Sequence, residues 1–223
     1  MVARVKTRER IVQQSLKLFN QQGERNVSTN HIAASMEMSP GNLYYHFANK
    51  QAIVAILFDR YEAQVYGFLQ RPAGRLPNLA DKRTYLHAVM SVMWDYRFLY
   101  RDLEHLLESD AVLAVRYRVF SKQCLAQGRL IYAGFVEAGI LSMNNSQIEA
   151  LTLNVWVILT SWVRHLCTTL DQPAILSEQV IKRGVYQILM LQSGHVCPQW
   201  REAMAGVCEE FHVPTDDAPV GRN

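Results

Sequence analysis

"STNHIAASMEMSPGNLYYHFANK", residues 28–50, decides the fold. Ser28 is a good N-cap, and Ile32, Ala33 and Met36 recur on one helical stripe, which predicts a short helix over Ser28–Met36. Ser39 can cap a second. Pro40 then falls at the first helical position, where its missing N–H costs nothing, so the proline starts a helix instead of breaking one. On a helical wheel Leu43 and Phe47 point one way, beside Pro40. Gly41, Asn42, Tyr45 and His46 point the other way, and Tyr44 sits on the border. A helix this short is not stable alone, so Leu43 and Phe47 must pack on neighbours.

Outward from this stretch nearly everything reads as helix. Val12, Leu16 and Phe19 predict a helix over about Thr7–Gln22, stopped by Gly23. Asn49 caps a fourth helix reaching about Leu69, with Ile53, Ile56, Leu57, Tyr61 and Val65 on its apolar side. Residues 70–81 carry two prolines and a glycine and read as a loop. Further helices are expected at about 79–100, 101–108, 110–138, 146–170 and 173–194, with breaks at Gly139, Asn144-Asn145 and Asp171-Gln172-Pro173. The fold class is all-α: a three-helix helix-turn-helix unit over 1–50 and a helical bundle over 51–223, with the tail 213–223 expected to be disordered.

Charge separates the two parts. Residues 1–50 carry seven Lys/Arg against three Asp/Glu, a net of +4; the remainder carries sixteen against seventeen, a net of −1. A basic head on a neutral body implies an anionic partner at the head. The longest uncharged apolar run, Ala150–Val163, is 14 residues, too short to cross a bilayer. "MVARVKTRER" has no apolar stretch behind its charges and is not a secretory signal. Cys124, Cys167, Cys197 and Cys208 are scattered without a CxxC, as free thiols of a reducing, cytoplasmic compartment would be.

Two short helices braced by a longer one suit a DNA major groove. Asn42 can read a base edge, Gly41 permits close backbone approach, and Tyr44, Tyr45 and His46 can donate to phosphates. Lys50 and Thr29 sit at helix starts, where N–H groups also favour phosphate. At this point the chain resembles a known family. "TRERIVQQSLKLFNQQG" followed by "VSTNHIAASMEMSPGNLYYHFANK" is similar to the TetR/AcrR bacterial transcriptional repressors, over roughly residues 7–57. The resemblance implies that Thr29, Tyr44, His46 and Lys50 contact the DNA backbone, and that Pro40, Gly41, Asn42 and Tyr45 face the groove; the cap Ser39 is a further expected DNA-binding residue. It also implies a homodimer on a palindromic operator, released by a small-molecule effector in the bundle. One departure stands in the turn, where the family often has glycine and this chain has Glu37.

The body supports these implications less sharply. "ALTLNVWVILTSWV" (150–163) is apolar nearly all round and needs cover on every side. With the next helix it is expected to form a four-helix dimer seam through Trp156, Leu159, Val180, Gly184, Ile188 and Leu191. Aromatic and Met side chains among a few polar groups are what a small-ligand cavity is made of. Met90, Trp94, Phe98, Arg101, His105, Tyr117, Phe120, Asn154 and Trp162 are therefore the expected effector pocket, with an internal ion-pair network of Arg97, Arg101 and Asp102 as the alternative. No catalytic residue, metal or cofactor is expected. Asp102, Glu104, His105 and Glu108 share one helix without a second cluster, and His195, Cys197, Cys208 and His212 have no familiar zinc spacing. Two other readings remain open: a helical enzyme or lipid-binding protein with a basic docking head, and an activator or partner-controlled regulator lacking a cavity.

Overall fold

The computed structural model describes residues 6–169 and 177–214. Among the described residues there are ten α-helices: α1 (Thr7–Gln22), α2 (Thr29–Ser35), α3 (Pro40–His46), α4 (Lys50–Phe68), α5 (Leu79–Asp95), α6 (Arg97–Ser109), α7 (Ala111–Glu137), α8 (Asn145–Thr169), α9 (Glu178–Gln192) and α10 (Arg201–Phe211). By packing, the chain divides into two compact units. One holds residues up to Gly67 together with Asp95–Lys122; the other holds Phe68–Trp94 and the residues from Gln123 onward. That partition follows contacts, whereas the division at 50/51 follows the motif. The break expected at 171–173 and most of the tail lie outside the described residues.

Helix starts follow local cap chemistry. Asn49 Oδ1 accepts the Ala52 N–H (2.8 Å), and Asp110 Oδ1 accepts those of Val112 and Leu113 (2.9 and 3.0 Å). Before α8, Asn144 and Gln147 cap each other reciprocally, at 2.8 and 2.9 Å. Gly139 ends α7 with φ 67°, a conformation a side chain resists.

Two expectations need correction. The helix expected at 79–100 ends at Asp95, and the next begins at Arg97, not at 101. The cause is remote: Asn20 of α1 donates through Nδ2 to the Asp95 carbonyl (2.7 Å) and accepts the Phe98 N–H at Oδ1 (3.1 Å). Those two bonds satisfy the backbone groups that a continuous helix would have paired. The second correction is α10, which sequence reading left out. Its Met204, Val207 and Phe211, spaced three and four apart, are buried in the core of their unit with Phe135, Leu141, Val185 and Leu189.

That core also holds a cation. Lys82 is 4% exposed, donates to Gln192 Oε1 (2.6 Å) and lies over the ring of Phe135 at 4.7 Å. Burial pushes its ammonium down from 10.5 to about 7. Between those values the unfolded chain is protonated and the folded chain is not. The unfolded state then holds more protons, so stability climbs as pH rises across that window; below it the full cost of the buried charge is present. Lys82→Met is expected to gain about 2 kcal/mol in relative stability below pH 7, since a methionine of similar shape carries no charge to desolvate, while the lost partner of Gln192 Oε1 costs the same at every pH. The advantage should shrink toward pH 10 in a series of urea titrations.

Candidate nucleic-acid interface

The head is assembled from short-range bonds. Ser28 Oγ accepts the His31 N–H (3.2 Å) while His31 Nδ1 faces the Ser28 N–H (3.4 Å), a reciprocal cap that starts α2. Ile32 and Ala33 are fully buried. In the turn Glu37 adopts φ 55° and is exposed. A residue other than glycine costs roughly 1–2 kcal/mol there. The turn holds because Glu37 N–H donates to Ala34 O (3.1 Å) and Met38 N–H to Ala33 O (3.0 Å).

Ser39 Oγ then accepts the Asn42 N–H (3.2 Å) and opens α3 with Pro40 at its first position. Leu43 and Phe47 are buried, and the Arg8 guanidinium lies 4.8 Å from the Phe47 ring centroid. Pro40 is exposed and does not share their anchoring role. Gly41, Asn42 and Tyr45 form one exposed face, with Tyr45 84% exposed. His46 is half-buried and meets Tyr45 edge-on at 5.2 Å. The hydroxyls of Tyr44 and Thr29 lie 3.0 Å apart, which ties α3 to the start of α2 and points both groups at the same outer edge. Lys50 is placed differently: its Nζ donates to Glu24 Oε1 (2.8 Å) and to Glu24 O (2.9 Å). Behind the face, Arg60 of α4 grips Glu9 of α1 with both guanidinium nitrogens. Their hydrogen bonds hold the Glu9 carboxyl below the usual carboxylate range.

A trihelical head with an exposed aromatic–amide face is the architecture of a helix-turn-helix reader. Known proteins agree over both parts of the chain. The model of bacterial regulatory proteins of the tetR family matches residues 11–56, and the TetR bacterial transcriptional repressor model matches residues 60–204. A solved TetR-family transcriptional regulator from Marinobacter aquaeolei is 41% identical, with a TM-score of 0.85, over 93% of this chain and all of that one. The chain belongs to the TetR family of transcriptional regulators. Two curated helix-turn-helix regulators are similar at lower identity. UidR of Escherichia coli is 23% identical over 78% of this chain and 71% of its own length; the probable regulator YttP of Bacillus subtilis is 22% identical over 78% and 82%. Regulators of the TetR family are DNA-binding proteins and not enzymes.

The TetR-family body places the expected pocket residues in several locations. Tyr117 and Phe120 join Phe58, Tyr61 and Tyr100 in an aromatic cluster, where Phe58, Tyr61, Leu99, Tyr100, Leu103 and Tyr117 line a partly open void of about 10 Å³. That is room for about one water. Phe98 is fully buried against Phe19 (5.4 Å). Arg101 donates to the Phe19 carbonyl, and His105 faces Glu24 at 3.7 Å, so both serve the head. Arg101 also reaches Asp102 at 3.5 Å, which favours the ion-pair alternative for these two residues. In the other unit Met90 and Trp94 are half-buried, Asn154 is exposed, and Trp162 donates through Nε1 to Val180 O (2.8 Å).

The expected seam residues also divide. Val180, Gly184 and Ile188 are buried within the single chain, because α9 packs on α8. A Cβ on Gly184 would stand 2.6 Å from Trp162 Cδ1, so the close packing that this glycine permits is made by its own chain. Trp156 and Leu159 are half-buried and Leu191 is 38% exposed. On α8, two exposed apolar residues that sequence reading missed are Leu153 and Val157, at 52% and 51%. They lie one turn apart inside the apolar run already singled out, and a wheel phased on the buried Leu151 and Thr152 would have found them. Among the described residues no cluster of His, Cys, Asp or Glu could hold a metal, and no helix is long and apolar enough to cross a membrane. Cys197 and Cys208 are half-buried.

Proposed function

We propose that the chain is a cytoplasmic, ligand-released repressor that binds a palindromic operator as a homodimer. The exposed face of α3 carries the proposal. Gly41, Asn42 and Tyr45 stand out on an anchored helix, with the Tyr44–Thr29 hydroxyl pair beside them and no structural duty of their own to explain their exposure. Ser39 and Pro40 open that helix, and His46 closes it at the phosphate side. A short recognition helix reads few base pairs, so a two-fold pair is needed for affinity. Leu153, Val157 and Leu191 supply exposed apolar surface on α8 and α9 for that seam, and the half-buried Trp156 and Leu159 belong to the same helix α8. Leu153→Glu/Val157→Glu is expected to sediment as a folded monomer and to lose about tenfold or more in affinity for duplex DNA. A folded double variant that remains dimeric would move the seam elsewhere.

The effector reading rests on the aromatic cluster around Tyr61, Tyr100 and Tyr117, whose paired hydroxyls (Tyr61–Tyr100, 3.0 Å) sit beside the small void. Rotamer changes of these rings would widen it for an apolar ligand with one polar group. SmeT, a protein of similar fold (TM-score 0.57, 18% identity), was solved as a triclosan complex. For release, the effector must prefer the DNA-incompetent state. Equal affinity of every apolar phenol for free and DNA-bound protein would remove this part of the reading.

A further inference from the structure

Lys50 and Glu24 form a pair that the DNA reading of the head leaves unexplained. A lysine at the start of α4 is well placed for phosphate. Yet two of its donors end on one residue, the carboxylate and carbonyl of Glu24, and the Lys50 side chain is only 21% exposed. Glu24 lies in the α1–α2 connection and is 4% exposed. It is fixed from α6: its N–H donates to Asp102 Oδ2 (2.8 Å), and its second oxygen, Oε2, lies 3.7 Å from His105 Nε2. That buried oxygen has no hydrogen-bond partner. Arg101 closes the arrangement by binding the Phe19 carbonyl and Asp102. Asp102 of α6 therefore holds the loop whose carboxylate neutralises Lys50, with Arg101 bracing Asp102 and His105 facing the same carboxylate.

We propose that Glu24 is a positioning residue that restrains Lys50 and makes its availability to DNA phosphate depend on α6. While α6 holds Glu24, the Lys50 charge is spent inside the protein. When α6 moves and draws Glu24 with it, the ammonium becomes available to a phosphate. A lysine already paired with a buried carboxylate releases little counterion on binding DNA; a freed one releases nearly a full ion. This inference rests on the DNA reading of α3 and Lys50, but it concerns how that contact is set.

The test is the salt dependence of binding to a 30-base-pair duplex of random sequence, which needs no knowledge of the operator. Glu24→Gln keeps the shape and removes the charge. It is expected to bind more tightly at low salt and to steepen the slope of log K against log salt by about 0.9 per head. In a Lys50→Met background the same substitution should change nothing. Asp102→Asn, which loosens Glu24 from α6, should act in the same direction and add little to Glu24→Gln. The proposal is overturned if Glu24→Gln leaves the slope unchanged, or shifts it equally without Lys50, since the carboxylate would then act only as a distant charge. It is also overturned if the two substitutions add fully. Wild-type protein that fails to bind any duplex would instead remove the DNA reading beneath it.

Discussion

Gly184→Val is expected to destabilise the protein by about 3 kcal/mol, read as a lower urea midpoint. Glycine in mid-helix normally costs about 1 kcal/mol against alanine, so an added side chain should help α9 if space allowed. Space does not allow it. The Cβ alone would lie 2.6 Å from Trp162 Cδ1 and 2.7 Å from Cγ, atoms near the root of the side chain. The indole cannot swing aside cheaply, because its Nε1 donates to Val180 O at 2.8 Å. Trp162→Ala in the same chain should therefore recover most of the Gly184→Val loss. This separates two roles for the glycine. A glycine packed against a partner subunit would give a loss that Trp162→Ala does not repair and that deepens as protein is diluted.

Tyr45→Ala should leave the unfolding midpoint unchanged and weaken operator binding roughly thirtyfold, about 2 kcal/mol. Its side chain is 84% exposed, so little packing is lost on truncation. The neighbouring ring of His46 meets only its edge. Leu43 and Phe47, which carry the attachment of α3, are untouched. The substitution isolates recognition from folding, which no change at Phe47 can do. Retained affinity in a folded Tyr45→Ala protein would take this residue out of the interface.

The head was legible because its determinants are local. Ser28, Ser39, Pro40 and Asn49 act within four residues of themselves, and the predicted bounds of α1 and α2 and the predicted start of α3 match those observed to within a residue. The body was less legible because its determinants are remote. Asn20 breaks the chain at Tyr96 from 75 residues away, and no local propensity announces that. The break puts Met90 and Trp94 on α5 and Phe98 and Arg101 on α6, so the spacing that suggested one continuous helix spans two. Arg101 and His105 looked like pocket polar groups; their partners, Phe19 and Glu24, lie some eighty residues earlier. Lys50 shows the same limit within the motif itself. Its position was readable, and its pairing with Glu24 was not.

In the function proposed above, the exposed face of α3 reads DNA as a two-fold pair. Selection of duplexes from a fully random library by the purified full-length protein tests it most directly. The wild-type chain should enrich an inverted repeat, and Tyr45→Ala should lose that enrichment. A selected pool indistinguishable from the starting library, or one with a single asymmetric site, would contradict it.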